Sequence, residues 1–197
     1  MSLDLLLALA GFAFVTSATP GPNNMMLMAS GANFGIRRTV PHMLGVSLGF
    51  GLMVVVLGFG VDRLIAQSTM LATMLKWVSM AYMLWLAWKI ATALPPEMGT
   101  PDTNRVPLTF LQAAAFQWVN PKAWAMALGA LSAFAAGLGG ALIVGLVFAA
   151  VNLPTVSAWV ALGQGMRSVL STPARFKSFN LVMAALLIVS MMPVLLD

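Results

Sequence analysis

Thr19-Pro20-Gly21-Pro22-Asn23-Asn24 interrupts a hydrophobic stretch that otherwise runs from about Leu3 to Phe34. The two prolines remove backbone donors and the glycine adds conformational freedom, so a helix entering this hexapeptide breaks. What the break means depends on the solvent around it. The chain has 197 residues, of which 60% are hydrophobic and 8% charged, and its mean hydropathy is +0.94. A soluble domain typically carries about 25% charged residues, so this chain cannot cover a water-facing surface. Its solvent is lipid. A broken helix in lipid leaves backbone groups unpaired at several kcal/mol each, and it is tolerated only where protein buries it or a wet cavity meets it.

Outward from the break, further apolar runs extend over about Met43–Val61, Met70–Ala91, Leu108–Ala130, Gly139–Leu162 and Phe179–Leu195. Each approaches the roughly 20 residues that a membrane helix needs. The expected fold is all-α and integral to the membrane, with six transmembrane helices in a single domain over 1–197. Helices one to three take up about 3–93 and helices four to six about 108–195, joined by a polar, proline-rich linker over about 94–107. The first 18 residues carry Asp4 and no Lys or Arg. They lack the basic start of a secretory signal and read as a retained first span.

The net charge of +5 does not form the basic stripe of a nucleic-acid binder. Arg37, Arg38, Lys89, Arg105, Arg167, Arg175 and Lys177 fall in connections on one side, and Arg63 and Lys76 on the other. This asymmetry places the first group in the cytoplasm and both termini in the periplasm. Three helices, a linker and three more helices make the second half upside down relative to the first. Helices one and four, the first of each half, both carry an Asn-Pro break, and paired breaks in inverted halves point to a solute site near the midplane.

The first break, at Pro20, Gly21 and Pro22, brings Asn23 and Asn24. Either asparagine side chain can cap the second half-helix, whose N–H groups suit a carboxylate; a proline kink that only aids packing is the bland alternative. The second break, Gln117-Trp118-Val119-Asn120-Pro121-Lys122, carries a lysine inside a span at roughly 2.5–3.5 kcal/mol on insertion scales. Lys122 then serves as a counter-ion to a solute carboxylate or ties the two breaks together, unless it merely snorkels to the headgroups. Asn152 and Pro154 in helix five form a weaker third feature. Asp62 and Arg63 are read as solvated interfacial charges, and His42 as an interfacial residue beside Pro41. Trp85 lies deep enough to line a cavity, whereas Trp88 with Lys89 reads as an interfacial anchor. Small residues four apart, Gly31/Gly35, Gly45/Gly49 and Gly129/Ala133, indicate close helix packing.

With no cysteine, one histidine and five carboxylates, neither a disulfide nor a metal site is expected, and no cofactor. No nucleophile-base set or paired acids mark an enzyme. A passive small-solute channel is the alternative to a carrier, though the polar residues cluster at breaks and do not form a stripe.

The Pro-Gly-Pro-Asn break, Gly45 and Gly49, and Asn120-Pro121-Lys122 together resemble the LysE/RhtB family of bacterial amino-acid exporters, along the whole chain. The run from Ala81 to Ala91, AYMLWLAWKIA, is most similar to the cysteine/O-acetylserine exporter branch. The resemblance implies an inner-membrane exporter of amino acids or close derivatives, energised by the proton-motive force. The early helix-two Asp of the lysine-exporting branch has no counterpart among Leu44–Phe50. A neutral solute such as cysteine, O-acetylserine, threonine or homoserine is therefore expected. Its partners are that solute and membrane lipid; a homo-oligomer is left open.

Overall fold

The computed structural model describes residues 3–61, 69–93, 106–136, 140–170 and 172–189. Within them the chain forms eight α-helices: α1 (Leu3–Ala18), α2 (Pro22–Phe34), α3 (Ile36–Val56), α4 (Thr69–Ala91), α5 (Phe110–Phe116), α6 (Pro121–Ala130), α7 (Ala141–Gly165) and α8 (Pro173–Val189). No strand occurs among the described residues. Most of the expected linker, 94–105, lies outside them, as do Asp62, Arg63 and everything after Val189; the side chains of Lys76 and Arg167 are likewise not described.

Ile36–Gly60 and Ala141–Gly165, 25 residues each, are long and apolar enough to cross a membrane. The pair α1–α2, bent by 60° at the break, makes a third such crossing if it is one span. Two expected boundaries shift. The second hydrophobic run starts at Ile36 and not near Met43, so Arg37 and Arg38 occupy the first turn of α3 and not a loop. Only Gly35, at φ 79°, turns the chain between α2 and α3, a left-handed conformation that favours glycine. Likewise α8 begins at Pro173, drawing Arg175 and Lys177 into a helix. In both cases charges at the helix start lower the local hydropathy and hide the first two turns.

The centre of the bundle is α7, which packs against α3, α2 and α1, while α5 lies on α3 and α8 on α4. Glycine sets these spacings. A Cβ on Gly31 would strike the Val160 carbonyl, and one on Gly163 the Met28 carbonyl, so α2 and α7 touch backbone to backbone. Gly45 and Gly49 do the same against Phe110 and Ala114 of α5. The third expected pair does not behave so: a Cβ on Gly129 would meet only the Phe12 ring at 3.7 Å, and Ala133 is exposed. One apolar core joins α1, α3, α6 and α7 around Phe50 and Phe148, whose rings meet edge to face at 5.1 Å.

Candidate functional site

Each half-helix that follows a break begins with proline at its first position, where a missing N–H costs nothing. Gly21 precedes Pro22 of α2. Asn120 precedes Pro121 of α6, and its side chain accepts from the Lys122 N–H at 3.2 Å, capping that helix. Upstream, α5 opens on a reciprocal capping box between Thr109 and Gln112 and passes through a tight turn, Gln117–Val119, into the break.

The two breaks meet. The Lys122 Nζ donates to the Thr19 carbonyl at 2.5 Å and lies 2.9 Å from Thr19 Oγ1 and 3.4 Å from the Pro20 carbonyl. These oxygens stand at the C-terminal end of α1, where the helix dipole favours a cation. A Cβ on Gly21 would lie 2.6 Å from Lys122 Cδ, so the absence of a side chain there gives the lysine its path. One layer in, the amides of Asn23 and Gln117 pair reciprocally, Asn23 Nδ2 to Gln117 Oε1 at 2.8 Å and Gln117 Nε2 to Asn23 Oδ1 at 3.2 Å. Gln117 also donates to the Ala113 carbonyl at 2.9 Å.

Asn24 corrects the capping expectation. It does not cap α2; its Nδ2 turns back to donate to the Ser17 and Thr19 carbonyls, both at 2.8 Å. The side chain thus satisfies orphan carbonyls of α1, and no side chain caps Gly21. Asn152 joins the cluster from α7: Ser47 Oγ of α3 donates to its Oδ1, and its Nδ2 donates to Ser17 Oγ, each at 3.3 Å. Pro154 faces outward and takes no part.

Together these groups wall a cavity of about 20 Å3 that Asn23, Asn24, Gln117, Asn120, Lys122 and Asn152 line on the polar side, and Phe50, Met126 and Val156 on the apolar side. On the scale where one water needs about 10–15 Å3, this space admits a water but no amino acid. Three of the five expected solute-binding residues, Asn24, Asn120 and Asn152, are buried, and Asn23 and Lys122 are half-buried. The first break's Gly21 also lines the cavity.

Sequence reasoning left out Gln117, Ser17 and Ser47 as site residues. Gln117 is completely buried, and a lone amide in the apolar run Ala113–Val119 was the signal available. Trp85 does not line this cavity; it is 40% exposed, stacked on Tyr82 and beneath the Lys89 ammonium at 4.7 Å. His42 is not interfacial. It is 2% exposed, because α3 begins earlier than the hydropathy implied and carries it into the bundle.

Residues 14–195 match the family described as LysE type translocator. The cysteine/O-acetylserine efflux protein of Escherichia coli (strain K12) is 37% identical over 135 residues, 68% of this chain and 67% of that protein. The protein of the same name from Klebsiella pneumoniae subsp. pneumoniae is 33% identical over 134 residues, again 68% and 67% of the two chains. The Shigella sonnei protein of that name is 37% identical over 135 residues, with the same coverage. No solved structure matches. With its two proline-marked breaks inside the matched region, this chain belongs to the family of LysE type translocators, which are membrane transporters and not enzymes.

Proposed function

We propose that the protein exports small neutral amino acids or their close derivatives, of the cysteine and O-acetylserine kind, across a bacterial inner membrane. Six spans in two inverted halves, both termini periplasmic, make up the carrier, and the proton-motive force drives it. The solute site lies between the first and fourth spans. The observation that carries this reading is the direct meeting of the two breaks: Lys122 binds the Thr19 carbonyl, and Asn23 pairs with Gln117 over a polar cavity. Paired breaks of this kind are where transporter folds place their solutes.

The cavity's size supports a division of roles. Too small for an amino acid, it opens only when α1 and α2 part from α5 and α6. Lys122 is the latch across that seam. When the seam parts, the amides of Asn23 and Gln117 exchange each other for the solute, and the freed lysine meets its carboxylate. Asn120 and Asn152 hold the half-helix and the far wall. A seam closed to the size of one water argues for a carrier that alternates access and against an open channel.

Counterflow in proteoliposomes tests this. Reconstituted protein preloaded with O-acetyl-L-serine should take up labelled O-acetyl-L-serine saturably, and an imposed inward proton gradient should drive net efflux. Flux that never saturates would leave the channel reading, and none for any neutral amino acid would remove the solute class.

A further inference from the structure

An amino acid brings a side chain as well as a zwitterionic head, and the walls of the midplane cavity divide in the same way. Its amides and Lys122 gather at the two breaks, while Phe50, Ala123, Met126 and Val156 close the other side. With the head held by Asn23, Gln117 and Lys122, the solute side chain is left facing these four residues. Their side chains carry no nitrogen or oxygen, so this wall selects by size and shape and not by hydrogen bonds.

The four differ in how far they can yield. Ala123 ends at Cβ. The Phe50 ring meets Phe148 edge to face at 5.1 Å, and Phe148 meets Phe12 in the same manner at 6.2 Å. Displacing Phe50 therefore disturbs rings on α7 and α1. Val156 is β-branched and stiff. One turn along α7, the Val160 carbonyl lies where a Cβ on Gly31 would be, which holds this part of α7 against α2. Met126 differs from the other three. It is the most accessible of them, at 9% against 1% for both Phe50 and Val156. Its unbranched side chain turns about three bonds and adapts to irregular space. It also belongs to α6, the half-helix that Pro121 begins and that shifts when the seam parts. Lys122 lies four residues earlier on the same face of that helix. The cation for the head and the wall for the side chain thus stand one turn apart on a single element.

We propose that Met126 determines which side chains the carrier admits. It forms the adjustable wall of the side-chain pocket, and its bulk sets the longest neutral side chain that fits while Lys122 holds the carboxylate. Phe50, Ala123 and Val156 are the fixed walls. The proposal rests on the export reading for the site and the class of solute.

O-acetyl-L-serine and O-butanoyl-L-serine share a head and an ester, and the second is two methylenes longer. Each competes, unlabelled, with counterflow of labelled O-acetyl-L-serine in proteoliposomes, and the ratio of their half-inhibitory concentrations is the readout. Because both values come from one sample, a lower yield of folded carrier cancels. Met126→Ala removes three heavy atoms from the wall and should lower the butanoyl-to-acetyl ratio about tenfold, the low end of what one methylene is worth in an apolar pocket. Met126→Leu, a volume-conserving change, should restore the wild-type ratio. Met126→Phe should act in the opposite sense, making L-serine the better competitor relative to O-acetyl-L-serine. A residue that only packs would alter the flux of every solute alike. An unchanged ratio in Met126→Ala, with counterflow intact in the wild type, overturns the proposal and leaves the export reading standing. Absence of wild-type counterflow for any neutral amino acid overturns both. Should Met126→Ala not fold, Met126→Phe decides: an unchanged preference between L-serine and O-acetyl-L-serine overturns the proposal.

Discussion

Lys122 and Asn24 both donate to carbonyls at the end of α1, and their surroundings make them do different work. Asn24 is 3% exposed and its bond to the Ser17 carbonyl is buried, so no water replaces that donor if it is removed, whereas the Thr19 carbonyl keeps its bond from Lys122. Asn24→Leu should cost about 1–3 kcal/mol for the Ser17 carbonyl left bare, at about 2–4 °C per kcal/mol for a chain of this length. A thermal melt of the purified protein in detergent measures the drop, and an unchanged midpoint would refute the assignment. The bonds of Lys122 face solvent, so water can replace them and the fold should survive Lys122→Met. Efflux should not. Losing charge-assisted bonds worth about 1.5–3 kcal/mol corresponds to a roughly ten- to hundredfold fall in rate, read in counterflow at matched protein levels. Full flux in that variant would reduce Lys122 to a tether. Gly21→Ala offers a subtler check, since the new methyl displaces the lysine stem while keeping its charge; its efflux should fall between wild type and Lys122→Met.

At the level of helices, the breaks were legible because proline and glycine act locally: Pro20, Pro22 and Pro121 end or start a helix whatever surrounds them. Where Asn24 sends its hydrogen bonds was not legible, since that depends on a 60° bend that no residue type encodes. His42 was misjudged for a related reason. Arg37 and Arg38 made the start of α3 look like a loop, and a residue six positions into a helix was taken for one at a surface. Gln117 was hidden by its apolar neighbours, and only contact with Asn23 from 94 residues away reveals its part. Glycine pairs were read correctly as packing for Gly45/Gly49, where α5 lies against them, and incorrectly for Gly129/Ala133; the spacing marks a smooth face but not whether a helix covers it. The same contrast predicts opposite stability effects from one substitution. Gly31→Ala puts a methyl into the Val160 carbonyl and should cost about 1–3 kcal/mol or more. Gly11→Ala meets nothing within 4 Å and should gain about 0.5–1 kcal/mol from reduced backbone freedom. Paired melts decide it, and equal midpoints for the two would contradict the close contact of α2 with α7.

For the molecule as a whole, the direction of the first span fixes how the two halves can be related. The bent pair α1–α2 is either one broken span or a loop that re-enters the side it left. Geometry separates these. At 1.5 Å per residue, the 16 residues of α1 rise about 24 Å and the 13 of α2 about 20 Å. A 60° bend still carries α2 forward by half its length, so a pair whose first helix stands along the membrane normal advances roughly 34 Å, more than the hydrocarbon core of about 30 Å. A re-entrant loop needs a reversal beyond 90°. The charge pattern agrees, with Arg37 and Arg38 just past the far end of the pair and no base before them. Leu3 should therefore lie outside while Arg38 lies in the cytoplasm. Leu3 is 67% exposed, and in a chain without cysteine a Leu3→Cys thiol is the only target for a membrane-impermeant maleimide. Intact spheroplasts should label it fully, whereas Arg38→Cys should react only after permeabilisation. Labelling of both from the same side would turn the first break into a re-entrant loop and overturn the proposed inversion of the two halves.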